Sequence, residues 1–190
     1  MNMKRLHLRT NLIMMPILAV FLTGFFLPSA VSAATAKEID ASTDAALDNF
    51  KKSVNGANEF LAASKGVLVF PKVYKAGFWL GGEYGEGELR IDGKPVDYYS
   101  LTSGSLGLQF GAQAMTVMLV FIQDEALKKF RESQGWQAGV DGSVTVVDVG
   151  AGTKISSTTF DQPIIAFVFD QKGLMVNLSL QGSKFTKIKK

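Results

Sequence analysis

Glycine is placed where strands should be. Between Ser64 and Gln113 the chain reads SKGVLVFPKVYKAGFWLGGEYGEGELRIDGKPVDYYSLTSGSLGLQFGAQ. Apolar and aromatic residues alternate there with small or polar ones, the period-2 signature of half-buried strands, and the Asp92-Gly93 pair marks a hairpin turn. Glycine inside a strand contributes no packing, so its concentration here predicts bulges, sharp coiling or close backbone approach. The run Gly81-Gly82-Glu83-Tyr84-Gly85-Glu86-Gly87 does not fit a phosphate loop. It lacks the Lys-Ser/Thr pair, continues as strand through Glu88-Leu89-Arg90-Ile91, and carries glutamates that repel phosphate.

The first residues have a different character. Lys4, Arg5 and Arg9 precede an apolar run from Leu12 to Leu27 and the small residues Ser29-Ala30-Val31-Ser32-Ala33-Ala34, with no acid before Glu38. Basic, apolar and small-residue segments in that order predict a secretory signal peptide over residues 1–33, cleaved after Ala33; cleavage after Ala34 or Ala36 also fits. The competing membrane anchor is disfavoured because Pro16, Gly24 and Pro28 interrupt a run already short of ~20 apolar residues. Removing the leader takes three of the 20 basic residues and none of the 17 acids, which leaves 17 of each. Export is therefore expected to deliver a near-neutral, soluble chain, periplasmic in a bacterial setting, with no field to attract nucleic acid.

Residues 34–190 are expected to form one domain. Thr35-Ala36-Lys37-Glu38 reads as a capping box opening a helix, and apolar residues from Ile39 to Leu61 recur at threes and fours, with Asn55-Gly56 as a break into two helices. Strands follow at Gly66–Phe70, ended by Pro71, and Gly77–Ile91. The alternating segment Ser105–Gln113 is next, then Val117–Ile122, buried on both faces. Asp124–Ser133 predicts a short amphipathic helix with Gly135 as its C′ residue. Further strands are expected at Val140–Val149, Lys154–Phe160, Ile164–Phe169 and Leu174–Leu180, with a turn at Asp170–Gly173. The fold class is α+β: a helix or helix pair, then a strongly curved, mostly antiparallel glycine-rich sheet or barrel with one inserted helix. The small and amide-bearing row Ser105, Gly107, Gln109, Gly111, Gln113 either lines a cleft or receives the leading helix, and the helix is preferred because its apolar stripe must be buried.

The only histidine, His7, lies in the leader, and there is no cysteine. Residues 34–190 thus hold no Ser-His-Asp triad, Cys-His pair, His-liganded zinc or iron-sulfur site. No cofactor is expected. Glu83, Glu86, Glu88, Asp92 and Asp97 leave room for a glycan hydrolase working through carboxylates alone, which needs a cleft with two of them facing at ~5–9 Å. Asp141-Gly142-Ser143 lacks the acidic ladder of an EF-hand.

Several separated segments resemble the SYLF domain, a family found in eukaryotic lipid- and actin-associated proteins and in many secreted bacterial ones. They are Gly66-Val67-Leu68-Val69-Phe70-Pro71 with Lys72 and Lys75, the glycine run Gly77–Gly87, Ser105–Gln113, and Gly135-Trp136 with Gly139-Val140-Asp141. The resemblance implies a lipid-binding module rather than an enzyme. In eukaryotic relatives it implies phosphoinositide binding and, in some fungal ones, actin binding.

The expectation is a non-enzymatic protein that binds anionic lipid or an envelope surface; a periplasmic protein-interaction scaffold is the alternative. The candidate lipid-binding residues are Phe50, Lys51, Lys52 and Phe60 on the leading helices, Lys65, Lys72 and Lys75 at the helix-to-strand junction, and Lys184, Lys187, Lys189 and Lys190 in the tail. Lysines clustered beside an amphipathic helix approach anionic lipid at about 1 kcal/mol each. Trp136 is expected to be at least partly buried and to tie the inserted helix to the sheet.

Overall fold

The computed structural model describes residues 33–77, 80–106, 111–150, 160–173 and 179–190. All of the expected strand Lys154–Phe160 except Phe160, most of Leu174–Leu180, and residues 107–110 of the alternating segment lie outside them.

Helix α1 (Ala36–Ser53) begins at the expected capping box: the Thr35 hydroxyl accepts from Glu38 N at 3.3 Å and Thr35 N donates to the Glu38 carboxylate at 2.7 Å. Its buried residues Ile39, Thr43, Ala46 and Phe50 are spaced four, three and four apart, which puts them on one face. Gly56 at φ 81° supplies the left-handed turn that separates α1 from α2 (Ala57–Ala63).

Among the described residues eight strands follow: β1 (Gly66–Gly77), β2 (Leu80–Ile91), β3 (Lys94–Leu106), β4 (Gly111–Phe121), β5 (Trp136–Gln137), β6 (Thr145–Asp148), β7 (Ile164–Gly173) and β8 (Lys184–Ile188), with α3 (Asp124–Glu132) inserted after β4. They form one sheet in the order β5-β8-β3-β2-β1-β4-β7-β6, a strongly curled half-barrel. Every pair is antiparallel except β6 with β7. Asp92 (φ 52°) and Gly93 (φ 74°) close the β2–β3 hairpin with two left-handed residues, as its twist requires.

The glycines follow from the curvature. β1 carries a bulge between Val69 and Lys72 that leans its backbone onto β2. A Cβ on Gly85 would lie 2.9 Å from the Lys72 carbonyl oxygen, and one on Gly87 would overlap that of Val69. Strand β1 therefore runs through Pro71 instead of ending there, because a bulge tolerates the missing amide.

The sheet buries both faces near its centre. Phe50, Val54, Ala57 and Phe60 pack onto Val67, Val69, Met118, Val120, Ile165 and Phe167, with Phe50 against Phe167 at 4.9 Å and Phe60 stacked on Phe160 at 4.1 Å. The opposite face carries Leu68, Phe70, Leu89, Leu119, Phe121 and Val168 and is covered by α3, whose Phe130 meets Tyr99, Phe121, Trp136 and Phe185. Trp136 is 2% exposed and joins α3 to the sheet as expected. Val117–Phe121 is buried on both faces.

Four local expectations are corrected. Asp170–Gly173 continues β7 because Asp170 (φ 53°) and Gly173 (φ 127°) let the strand bend in place. The Val140–Val149 segment keeps only Thr145–Asp148 as strand, since Gly139 at φ 82° turns the chain after Trp136. Gly135 is not a left-handed cap; a Cβ there would strike the Lys184 side chain at 2.6 Å. Finally, α1 rests on the branched and aromatic face described above. Gln113 is instead buried and donates to Gln171 at 3.1 Å.

Candidate functional site

Strand register places six residues in one line. The cross-strand partners Lys184↔Thr102, Thr102↔Tyr84, Tyr84↔Tyr74, Tyr74↔Ala114 and Ala114↔Lys172 run from β8 through β3, β2, β1 and β4 to β7. Directly opposed residues share a face, so the line is a surface stripe with two tyrosines at its centre and a lysine at each end. Tyr74 is 57% exposed and Tyr84 43%. Beside them Gly104, Gly82, Ala76 and Ala112 occupy the next line of partners, which keeps the surface low and flat. Lys72, two residues before Tyr74, is exposed on the same strand, and Leu80 near the hairpin end is 71% exposed.

The leading helices leave Tyr74 and Tyr84 exposed. Helix α1 meets β2 instead through a polar cluster in which Arg90 reaches the Asp44 carboxylate at 2.6 Å and the Asp40 carbonyl at 3.3 Å. Tyr98 donates to Asp40 at 2.7 Å, and Arg90 also pairs with Glu88, which is fully buried. Burial, then the neighbouring Asp40 carboxylate, push the Glu88 carboxyl up to about 7 against the pull of Arg90. The hydrogen bond from Glu88, helped by that from Tyr98, holds the Asp40 carboxyl below its ordinary range despite partial burial. Below about pH 7 the Glu88 carboxyl is mostly protonated while Asp40 stays ionised.

The sequence-derived lipid candidates separate into groups. Phe50 and Phe60 are fully buried between α1, α2 and the sheet, so in the folded domain neither reaches a membrane. Their periodicity identified a sticky face correctly, but the sheet is what it sticks to. Lys75 is buried and pairs with Glu83 at 2.8 Å. Lys190 reaches Glu86 at 2.7 Å with its side chain only 8% exposed. Alternation along β8 sends Lys184 and Lys187 to opposite faces, and Lys187 pairs with Asp97 beside α3. Lys51 and Lys65 are exposed with loose partners, Asp48 at 3.7 Å and Asp124 at 3.6 Å, while Lys52, Lys72 and Lys189 are exposed. Of the eleven candidates, the stripe takes in Lys184 and lies beside Lys72.

Tyr74 and Lys172 were missed. In Lys72-Val73-Tyr74-Lys75-Ala76 the alternation was visible, but which parity faced water depended on the bulge at Val69–Lys72.

The acidic residues are committed to structural partners: Glu83 to Lys75, Glu86 to Lys190, Glu88 to Arg90, and Asp97 to Arg131 and Lys187, while Asp92 sits exposed in the hairpin turn. The groove beside α3 sets Lys128, Arg131 and Lys187 against Asp124, Glu125 and Glu132, so its charge is balanced. Among the described residues no group of three or more His, Cys, Asp or Glu is placed to hold a metal ion, and no helix is long and apolar enough to cross a membrane.

Residues 102–190 match the model of the family described as Ysc84, Las17-binding protein actin regulator. The match shows the SYLF resemblance over that segment, which spans the last five residues of β3 and everything after it; the family is one of binding domains rather than enzymes. No curated protein matches the chain. The glycine-rich strands β1 and β2 lie before the matched segment, yet they form the centre of the same sheet.

Proposed function

We propose that the protein is an exported, non-enzymatic binding module that rests the Tyr74–Tyr84 face of its sheet on an anionic lipid surface. The observation that carries this reading is the stripe Lys184–Thr102–Tyr84–Tyr74–Ala114–Lys172. Tyrosine suits the boundary between headgroups and acyl chains, with an apolar ring and a polar hydroxyl. Lysines at both ends and Lys72 alongside add about 1 kcal/mol each near an anionic surface, and their long stems let the ammonium groups reach headgroups while the rings go deeper. The flat Gly/Ala line beside the tyrosines lets the sheet approach without a steric ridge. The leader pattern of residues 1–33 supports export, which would bring the domain beside an envelope membrane.

A protein partner is the second reading, favoured by the family's description as Las17-binding. Co-sedimentation with anionic and neutral vesicles separates the two. Lipid docking gives binding to anionic vesicles that salt weakens, whereas a protein-docking face leaves both vesicle types unbound.

A further inference from the structure

Ala34 is held at a built site. Its backbone N donates to Glu86 Oε2 at 3.1 Å, and Lys190 Nζ bridges the same Oε2 at 2.7 Å and the Ala34 carbonyl at 2.8 Å. The Tyr84 hydroxyl donates to the other oxygen, Glu86 Oε1, at 2.8 Å. The Glu86 and Lys190 side chains are only 11% and 8% exposed. Burial alone would push the Glu86 carboxyl up; Lys190, Tyr84 and the Ala34 amide together outweigh it and hold it below the ordinary range. A backbone amide is a modest partner for so sheltered a carboxylate.

We infer that Glu86 is the docking site for the new amino terminus made when the leader is removed, and that cleavage falls between Ala33 and Ala34. Hydrolysis of that peptide bond adds water, leaving a carboxylate on Ala33 and an amine on Ala34 that is protonated at neutral pH. The nitrogen is already in hydrogen-bond contact with Glu86, so cleavage converts a neutral donor into a charged one without moving it. A charge-assisted bond in a sheltered site is about twice as strong as a neutral one. The other two cleavage positions allowed by sequence forfeit this pair. A chain starting at Thr35 loses Ala34, with its Glu86 and Lys190 contacts. A chain starting at Lys37 also loses the Thr35 hydroxyl that caps α1. Ala34 is half-buried between the exposed Ala33 and Thr35.

The site rests on the export reading but not on lipid binding. The test begins with the full chain expressed with its leader, and the exported product read by intact mass and amino-terminal sequencing. Ala34 as first residue is the expected result. Retention of Met1 would overturn export and docking together, and a start at Thr35 or Lys37 would overturn docking alone. The mature chain is then compared with its Nα-acetylated form, each with Glu86 and with Glu86→Gln, by thermal denaturation. Acetylation keeps the N–H donor and removes the charge, so it should lower Tm by roughly 2–4 °C with Glu86 present and have little effect with Gln there. Lys190→Gln, which also removes a competing cation, should enlarge the effect of acetylation; it supplies a second folded background should Glu86→Gln unfold the domain. Equal effects of acetylation with Glu86 and with Gln, or no effect in the Glu86 and Lys190→Gln chains, would overturn the docking site.

Discussion

Tyr74 on β1 and Tyr84 on β2 are directly opposed across the strand pair, exposed on the same face and flanked on neighbouring strands by Thr102 and Ala114. Two large aromatics side by side on an otherwise small-residue sheet surface stabilise the strand pair by about 0.2–1 kcal/mol, which is modest for rings left so accessible. Their exposure is the feature that a binding role explains.

Phe50 belongs to the core. Phe50→Ala removes a fully buried ring in contact with Phe167 and Phe169, and should destabilise the domain by about 3–5 kcal/mol. Thermal denaturation checks the loss. If the variant unfolds near the wild-type temperature, Phe50 is not packed as described.

Gly87 cannot carry a side chain while the bulge at Val69–Lys72 persists. Gly87→Ala drives a methyl group into the Val69 carbonyl, so β1 and β2 must separate locally or the chain must fail to fold. Loss of soluble expression, or a Tm drop larger than that of Gly93→Ala, is the expected outcome. A Cβ at Gly93 meets nothing within 4 Å, and the substitution carries only the left-handed backbone penalty, about 1 kcal/mol.

The Glu88 cluster makes stability depend on pH. Its folded carboxyl titrates at about 7, above the unfolded value near 4.5, so the native state binds the extra proton between those limits. Stability from this group is therefore complete below about 4.5 and is lost as pH rises towards 7. Asp40 is shifted downwards and acts in the opposite sense: its contribution is present above its unfolded value and lost as pH falls through the lowered one. Across pH 5–7 the Glu88 slope dominates, and Tm should fall with rising pH. Glu88→Gln, which keeps a donor for Asp40 and an acceptor for Arg90, should flatten that fall.

The amino-terminal cap is a smaller term. Thr35→Ala removes the hydroxyl that accepts from Glu38 N and should cost about 1 kcal/mol, read as a shift in the denaturation midpoint.

Much of the fold was legible because the signals were local. The capping box at Thr35–Glu38, the break at Gly56, the hairpin at Asp92-Gly93 and the doubly buried Val117–Phe121 each follow from a few adjacent residues. What stayed hidden depended on register. Strand β8 looked like a lysine tail because Lys184 and Lys187 gave no sign that Phe185 between them anchors to Trp136 and Phe130. The stripe was hidden for the same reason: Lys172 and Lys184 are brought into line with the tyrosines by strand pairings 58 or more residues apart in sequence. The lysine list failed where burial decided. Lys75 and Lys190 are indistinguishable in sequence from solvated lysines, but cross-strand Glu83 and sheltered Glu86 claim them.

The most direct measurement is vesicle co-sedimentation of residues 34–190 beside a variant carrying Tyr74→Ser, Tyr84→Ser, Lys72→Gln, Lys172→Gln and Lys184→Gln. These changes touch exposed positions, so circular dichroism should be unchanged. The native chain is expected to bind anionic vesicles in preference to neutral ones and to lose affinity as salt shortens the Debye length from roughly 10 Å at 0.1 M to 3 Å at 1 M. The variant is expected to lose that binding at least tenfold, the minimum set by about 1 kcal/mol for each of three lysines with partial compensation. Undiminished binding by the folded variant would remove the role of this face, and equal binding of the native chain to neutral and anionic vesicles would contradict the electrostatic mechanism.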